Sequence, residues 1–245
     1  MKRFGILFLF LAVLFLGAQA VLANKSCPDP AELKETLKTL FAKQDFKVAS
    51  VGPAPVEGLC EVILEAQGGK KLTYVDKNGR YLVVGRIIDI KARKDLTQER
   101  VTDLNRLSPA KLKELEELVA FSVGKGPEIF FVTDPDCPHC KRAEKILLPL
   151  AKEGKIKVKV ILFPLEALHP KAKEKAVAII CDGKGLEALI EGYQGKQCEA
   201  GLKKVEKTIA TLPKLGIRAT PTYIFPDGRV ISGVLSAEQL LRMVK

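Results

Sequence analysis

Six cysteines and two histidines hold most of the nucleophilic and metal-ligating capacity of this 245-residue chain. Two of the cysteines stand in Cys137-Pro138-His139-Cys140, directly after the apolar run Glu128-Ile-Phe-Phe-Val-Thr133. That order reads as a strand handing over to a helix, with a dithiol at the helix N-terminus. Unpaired N–H groups and the positive end of the helix dipole favour a thiolate on the first cysteine. Cys140 lies one turn on, where it can close a disulfide or release a trapped partner. The spacing points to thiol–disulfide exchange, with Cys137 as nucleophile and Cys140 as resolving thiol. Pro138 suits the first helical turn, where no N–H is needed. His139, when protonated, adds positive charge beside the thiolate and makes the disulfide more oxidising.

Two plainer uses of the motif are weaker. Zinc would need further ligands, and although His139 or His169 might be enlisted, no second C-x-x-C completes a tetrahedral site. No metal or cofactor is therefore expected. A purely structural bridge gains little from closing so short a loop. Thr220-Pro221 opens an apolar run about 80 residues after the dithiol. Proline donates no N–H and admits a cis peptide bond, so this pair is expected to form a cis-proline loop that docks extended substrate. His169-Pro170, in the insertion after Phe163-Pro164, reads as a surface or core histidine, with a place lining the active-site face as the alternative, and Tyr223 and Phe225 read as core strand residues. No carboxylate stands out as a proton acceptor for Cys140.

The elements that must position these residues alternate. Strand 128–133, a helix from Pro138 to about Glu153 and a strand from Ile156 to Phe163 come first. A largely helical stretch from Leu165 to Thr211 follows, with helices over 170–181 and 199–212. A hairpin around Pro226-Asp227-Gly228 and a helix from Ala237 to Val244 finish the chain. The order β-α-β, helical insertion, β-β-α is that of a thioredoxin-like α/β domain over 124–245. Ahead of it, residues 24–90 predict an α+β domain. Asp29 caps a helix bearing Leu33, Leu37, Leu40 and Phe41, and extended runs follow at 47–51, 60–66, 72–75 and 81–90. Between the two, 91–123 predicts a helical linker, with Thr97 capping one helix and Ser108-Pro109 starting another that runs from Ala110 to Phe121.

Residues 1–23 read as an export signal: Lys2 and Arg3, an apolar stretch from Phe4 to Leu16, and cleavage after Ala20 or Ala23. All six cysteines follow it, and an even number in an oxidising compartment suggests three pairs. Cys27, Cys60, Cys181 and Cys198 allow three pairings, of which the most local is Cys27–Cys60 with Cys181–Cys198. Loss of Lys2 and Arg3 takes the formal net charge from +11 to +9. The lysines are spread among glutamates with no aromatic-basic cluster, which argues for a solvated surface and against nucleic acid as partner.

At these residues the chain resembles the DsbC/DsbG family of periplasmic protein disulfide isomerases. In the first domain the likeness rests on Pro53-Ala-Pro-Val-Glu-Gly58, Gly85-Arg-Ile-Ile-Asp89 and Asp95-Leu-Thr97. In the second it rests on Phe131-Val-Thr-Asp-Pro-Asp-Cys-Pro-His-Cys140, Phe163-Pro164 and Gly216-Ile-Arg-Ala-Thr-Pro221-Thr222. The resemblance implies a V-shaped homodimer of cystatin-like dimerisation domains, linker helices and thioredoxin-like catalytic domains facing a shared cleft. It implies a periplasmic enzyme whose Cys137 attacks non-native disulfides in unfolded or misfolded proteins, with a DsbD-like membrane reductase keeping Cys137 and Cys140 reduced. It also implies a structural disulfide at Cys181 and Cys198. Two departures stand out. Pro138-His139 is the dipeptide associated with the oxidant DsbA, and Cys27 with Cys60 is additional to the family pattern. The alternatives are a net oxidant donating its disulfide, or a chaperone-like binder of unfolded chains.

Overall fold

The computed structural model describes residues 27–42, 45–66 and 69–244. The signal-like segment 1–23 lies outside the described residues. Helix α1 (Pro30–Leu40) starts on Asp29, whose carboxylate accepts the N–H groups of Ala31 and Glu32. Its buried Leu33 and Leu37 face an antiparallel sheet of β1 (Phe46–Pro53), β2 (Leu59–Ala66), β3 (Gly69–Asp76) and β4 (Leu82–Val83), in that order. Leu40, counted in the apolar stripe, is exposed. A core this small is marginal for an independent domain, and the Cys27–Cys60 disulfide ties the chain ahead of α1 to β2.

The run expected to be extended over 81–90 pairs only at β4 and in a short ribbon of β5 (Ile88–Asp89) with β6 (Lys94–Asp95). Helix α2 (Leu96–Leu104) is capped by Asp95 and not by Thr97. Thr97 is buried, its hydroxyl 2.6 Å from that of Tyr74 and accepting the Ile87 N–H. A threonine with two tertiary partners has none to spare for a cap.

Helix α3 (Pro109–Glu116), capped by Ser108, ends sooner than the expected Phe121. Phe121–Gly124 is instead a strand, β7, antiparallel to β9 (Lys157–Leu162). The apolar residues of this segment are core, so it packs on its neighbours and is not a free linker. Leu107, Leu115 and Leu118 pack with Phe130, Val132 and Leu212. At the end of β7 a side chain is impossible: Gly124 has φ 87°, and a Cβ there would sit 2.4 Å from the Ile156 carbonyl. The start of this unit is fastened to its far hairpin. Leu107 N–H donates to the Gly228 carbonyl at 2.8 Å, and Arg106 reaches the Asp227 carboxylate at 2.7 Å.

The second sheet runs β11-β10-β8-β9-β7, with β8 (Glu128–Thr133) parallel to β9 and the other pairs antiparallel. Strand β8 is central and buried on both faces, which is why it reads as a continuous apolar run. Alternate residues serve opposite layers. Ile129 and Phe131 pack under α4 (Pro138–Lys152), while Phe130 and Val132 meet α3. The insertion after β9 comprises α5 (Ala172–Cys181), α6 (Leu186–Glu191) and α7 (Glu199–Thr211), with Cys181–Cys198 joining the end of α5 to the start of α7. A 3₁₀ turn (Leu212–Leu215), the hairpin β10 (Thr222–Ile224) with β11 (Val230–Ser232), and α8 (Ala237–Met243) complete the fold.

Candidate active site

The dithiol lies where β8 hands over to α4. Cys137 is the N-cap residue of α4 and makes no side-chain capping bond, and Pro138 takes the first helical position. The intervening loop Asp134-Pro135-Asp136 is pinned by the Cys137 N–H, which donates to the Asp134 carbonyl at 3.1 Å. Cys137 and Cys140 are both free thiols. Their surroundings differ sharply.

Cys137 retains 6% of its surface, and its thiol lies 3.8 Å from the Thr220 carbonyl. The Thr220–Pro221 peptide bond is cis. The loop ahead of β10 is thereby brought against the first cysteine. Cys140 is fully enclosed. Burial pushes its thiol up to about 12, outweighing the Thr220 hydroxyl, the Asp134 backbone and the Thr133 hydroxyl, which all favour the thiolate.

Glu144 stands one helical turn beyond Cys140, on the same face of α4. It is fully buried. Its Oε1 accepts the Thr133 hydroxyl at 2.6 Å, and among the described residues Oε2 has no partner. Burial raises the carboxyl from 4.5 to about 7, although the Thr133 bond and the Lys141 charge pull the other way. A carboxyl poised near neutrality behind a buried thiol is suited to accept a proton. On the outer side, exposed His139 meets Arg142 Nη2 through Nδ1.

Two sequence families cover most of the chain. Residues 24–98 match the family described as "Disulfide bond isomerase protein N-terminal domain", and residues 116–245 match "Thioredoxin-like domain". A probable thiol:disulfide interchange protein DsbC of Bordetella avium is 32% identical over 222 residues, 87% of this chain and 74% of its own length. The chain belongs to the DsbC/DsbG family. It is a thiol–disulfide oxidoreductase. A second relative of the same description, from Bordetella parapertussis, is 29% identical over 89% of this chain and 75% of its own. The crystal structure of a disulfide interchange protein from Neisseria gonorrhoeae aligns at 28% identity over 49% of this chain and 91% of that one, with a TM-score of 0.43.

In this DsbC/DsbG-family chain, the residues singled out by sequence fall into three groups. Cys137, Cys140, Thr220 and Pro221 converge on one spot. Pro138 and His139 face outward from it. Cys27–Cys60 and Cys181–Cys198 are bridges in other elements. His169 takes the alternative place on the active-site face and not that of a surface or core histidine. Its Nδ1 lies 3.0 Å from the buried Asp134 carboxylate, in the loop that leads into the dithiol. Glu144 was passed over altogether. Its signal was present: Cys140, Ala143, Glu144, Leu147 and Ala151 form one buried stripe at helical spacing, and a carboxylate has no structural business there.

Proposed function

We propose that the chain reshuffles or reduces non-native disulfides in exported proteins, through a mixed disulfide on Cys137 that Cys140 resolves. The observation carrying this reading is the unequal setting of two free thiols, one at a helix N-terminus with 6% of its surface left open and the other fully enclosed before Glu144. The Cys137 thiolate attacks one sulfur of a substrate disulfide. A new S–S bond forms, and the other substrate sulfur leaves as a thiolate. When a second substrate thiolate attacks the substrate sulfur of the mixed disulfide, Cys137 leaves as a thiolate and the bond has moved without net redox change. When instead Cys140 gives its proton to Glu144 and attacks Cys137 Sγ, the substrate leaves reduced by two electrons and a Cys137–Cys140 disulfide remains. A DsbD-like membrane reductase would return that disulfide to the dithiol. Net oxidation, in which the same disulfide is donated to folding proteins, is the second reading, and Pro138-His139 is the feature that favours it.

The setting we infer is the periplasm. The signal-like residues 1–23 and two bridges outside the active site suit an oxidising compartment. Residues 24–90 would form the dimerisation domain of a homodimer, and 124–245, joined by α3 and β7, the catalytic one. Strand β4 is a two-residue edge, and nearby Val84 and Ile90 are 80% and 83% exposed, an apolar edge of the kind a second copy covers.

Trapping tests the reading. Cys140→Ala should accumulate proteins bound covalently to Cys137 and released by reductant, whereas Cys137→Ala should bind none and leave a scrambled multi-disulfide protein unchanged. Isomerisation surviving in Cys137→Ala would end the proposal. Sedimentation should give a dimer for the chain from residue 24, and a monomer at micromolar concentration would remove the pairing.

A further inference from the structure

The loop from β8 to α4 carries two carboxylates, three and one residues ahead of Cys137, and the insertion supplies a partner to each. Asp134 is fully buried. Its Oδ2 accepts the Leu165 N–H at 2.7 Å and faces His169 Nδ1 at 3.0 Å, while Oδ1 accepts the Asp136 N–H at 2.8 Å. Asp136 is partly buried and pairs with Lys175 Nζ from α5, itself largely covered. Leu165, His169 and Lys175 all follow β9, so the insertion reaches back over the active-site loop from one side.

An unpaired carboxylate beside Cys137 would oppose its thiolate, and in a partly buried setting salt screens such a charge weakly. The other charges nearby do not replace this neutralisation. Lys141 acts on Glu144, Arg142 is engaged with His139, and Glu144 adds a further negative charge when ionised. We propose that His169 and Lys175 are positioning residues of the exchange reaction: His169 holds Asp134 in place by a hydrogen bond, and Lys175 neutralises Asp136 and so holds the loop's charge in favour of the Cys137 thiolate. This rests on the reading that Cys137 is the nucleophile. It gives the helical insertion a role in setting reactivity.

Charge rescue tests it. Alkylation of Cys137 by iodoacetamide at pH 7 and equilibration with glutathione are measured on the full mature chain, with the alkylated site identified by mass spectrometry. Lys175→Met should slow alkylation by roughly three- to tenfold and shift the equilibrium towards the protein disulfide by a similar factor. Asp136→Asn with Lys175→Met should recover the wild-type rate to within about twofold, since both charges are then gone. His169→Gln, which keeps a side-chain N–H for Asp134, should react close to wild type, and His169→Leu should be slowed. The Lys175 pair decides the matter even where His169→Leu does not fold. An unchanged rate in Lys175→Met, or a double variant as slow as the single, would overturn the proposal. Failure of wild-type Cys137 to be the alkylated thiol would instead overturn the nucleophile assignment on which it rests.

Discussion

Two residues separate the two active-site thiols, yet they belong to different regions. The rim holds Cys137, the loop 134–136 and the cis-proline loop, where side chains reach solvent or charged partners. The rear holds Cys140, Thr133 and Glu144, all fully buried. One turn of α4 converts chain proximity into a contrast of dielectric. At the rim the sulfur stands at the N-cap of a helix, beside unpaired N–H groups and the positive end of the helix dipole. At the rear burial dominates, and a proton leaves only if a specific acceptor takes it. The dithiol therefore presents one sulfur ready to attack and one held in reserve.

The largest effect expected from this contrast is selectivity of modification. With its thiol held up to about 12, Cys140 is ionised to about one part in ten thousand at pH 8. Cys137 should accordingly be alkylated at least roughly a thousandfold faster in the folded dithiol. Site-resolved mass spectrometry after timed quenching measures the ratio. Comparable rates at the two cysteines would erase the distinction between rim and rear.

Glu144→Gln should break the rear while sparing the rim. Without a proton acceptor, release of the mixed disulfide by Cys140 should slow by roughly ten- to a hundredfold at pH 7. Alkylation of Cys137 should stay within about twofold. The same substitution has an opposite effect on stability. Because the folded carboxyl titrates at about 7 against an ordinary 4.5, the folded chain keeps a proton that the unfolded chain has lost between those values. Stability contributed by Glu144 therefore falls as pH rises through that window, by at most about 3 kcal/mol in total. Denaturant unfolding should find Glu144→Gln more stable than wild type by up to about 3 kcal/mol at pH 8 and equal to it at pH 4. Equal stability at both pH values would show that the carboxyl is not held neutral by burial.

How far the chain announced this arrangement differs between the two regions. The rim was legible because its signals are local: an apolar run, a proline at the first helical turn, cysteines three apart, and Thr-Pro at the start of a strand. The rear was half legible. The helix from Pro138 and the place of Cys140 one turn in were visible, but Glu144 passed as one more charge in a lysine- and glutamate-rich chain. Of the partners, His169 offered a place on the active-site face only as one alternative and Lys175 gave no signal, since they meet Asp134 and Asp136 only after the insertion folds back across β9. The same limit explains β7. Periodicity through Leu112, Leu115 and Leu118 suits a longer helix, and only the free edge of β9 decides that Phe121 to Gly124 become a strand.

The mildest change probes how finely the rear is tuned. Thr133 donates to Glu144 at 2.6 Å and lies near Cys140, so its hydroxyl favours the charged form of both groups. Thr133→Val keeps the shape and removes that donor. The carboxyl should then titrate above 7, by about half to one unit, since a bond to an ionised acceptor exceeds one to a neutral acceptor by about 1 kcal/mol. Release of the mixed disulfide, followed by quenched flow from pH 6 to 9, should keep its maximal rate and move its rising limb to higher pH by that amount. In Glu144→Gln the limb should vanish rather than move. A Thr133→Val profile that loses amplitude without moving would mean that the hydroxyl positions the carboxyl and does not tune it, and the contrast between rim and rear would then be one of geometry more than of charge.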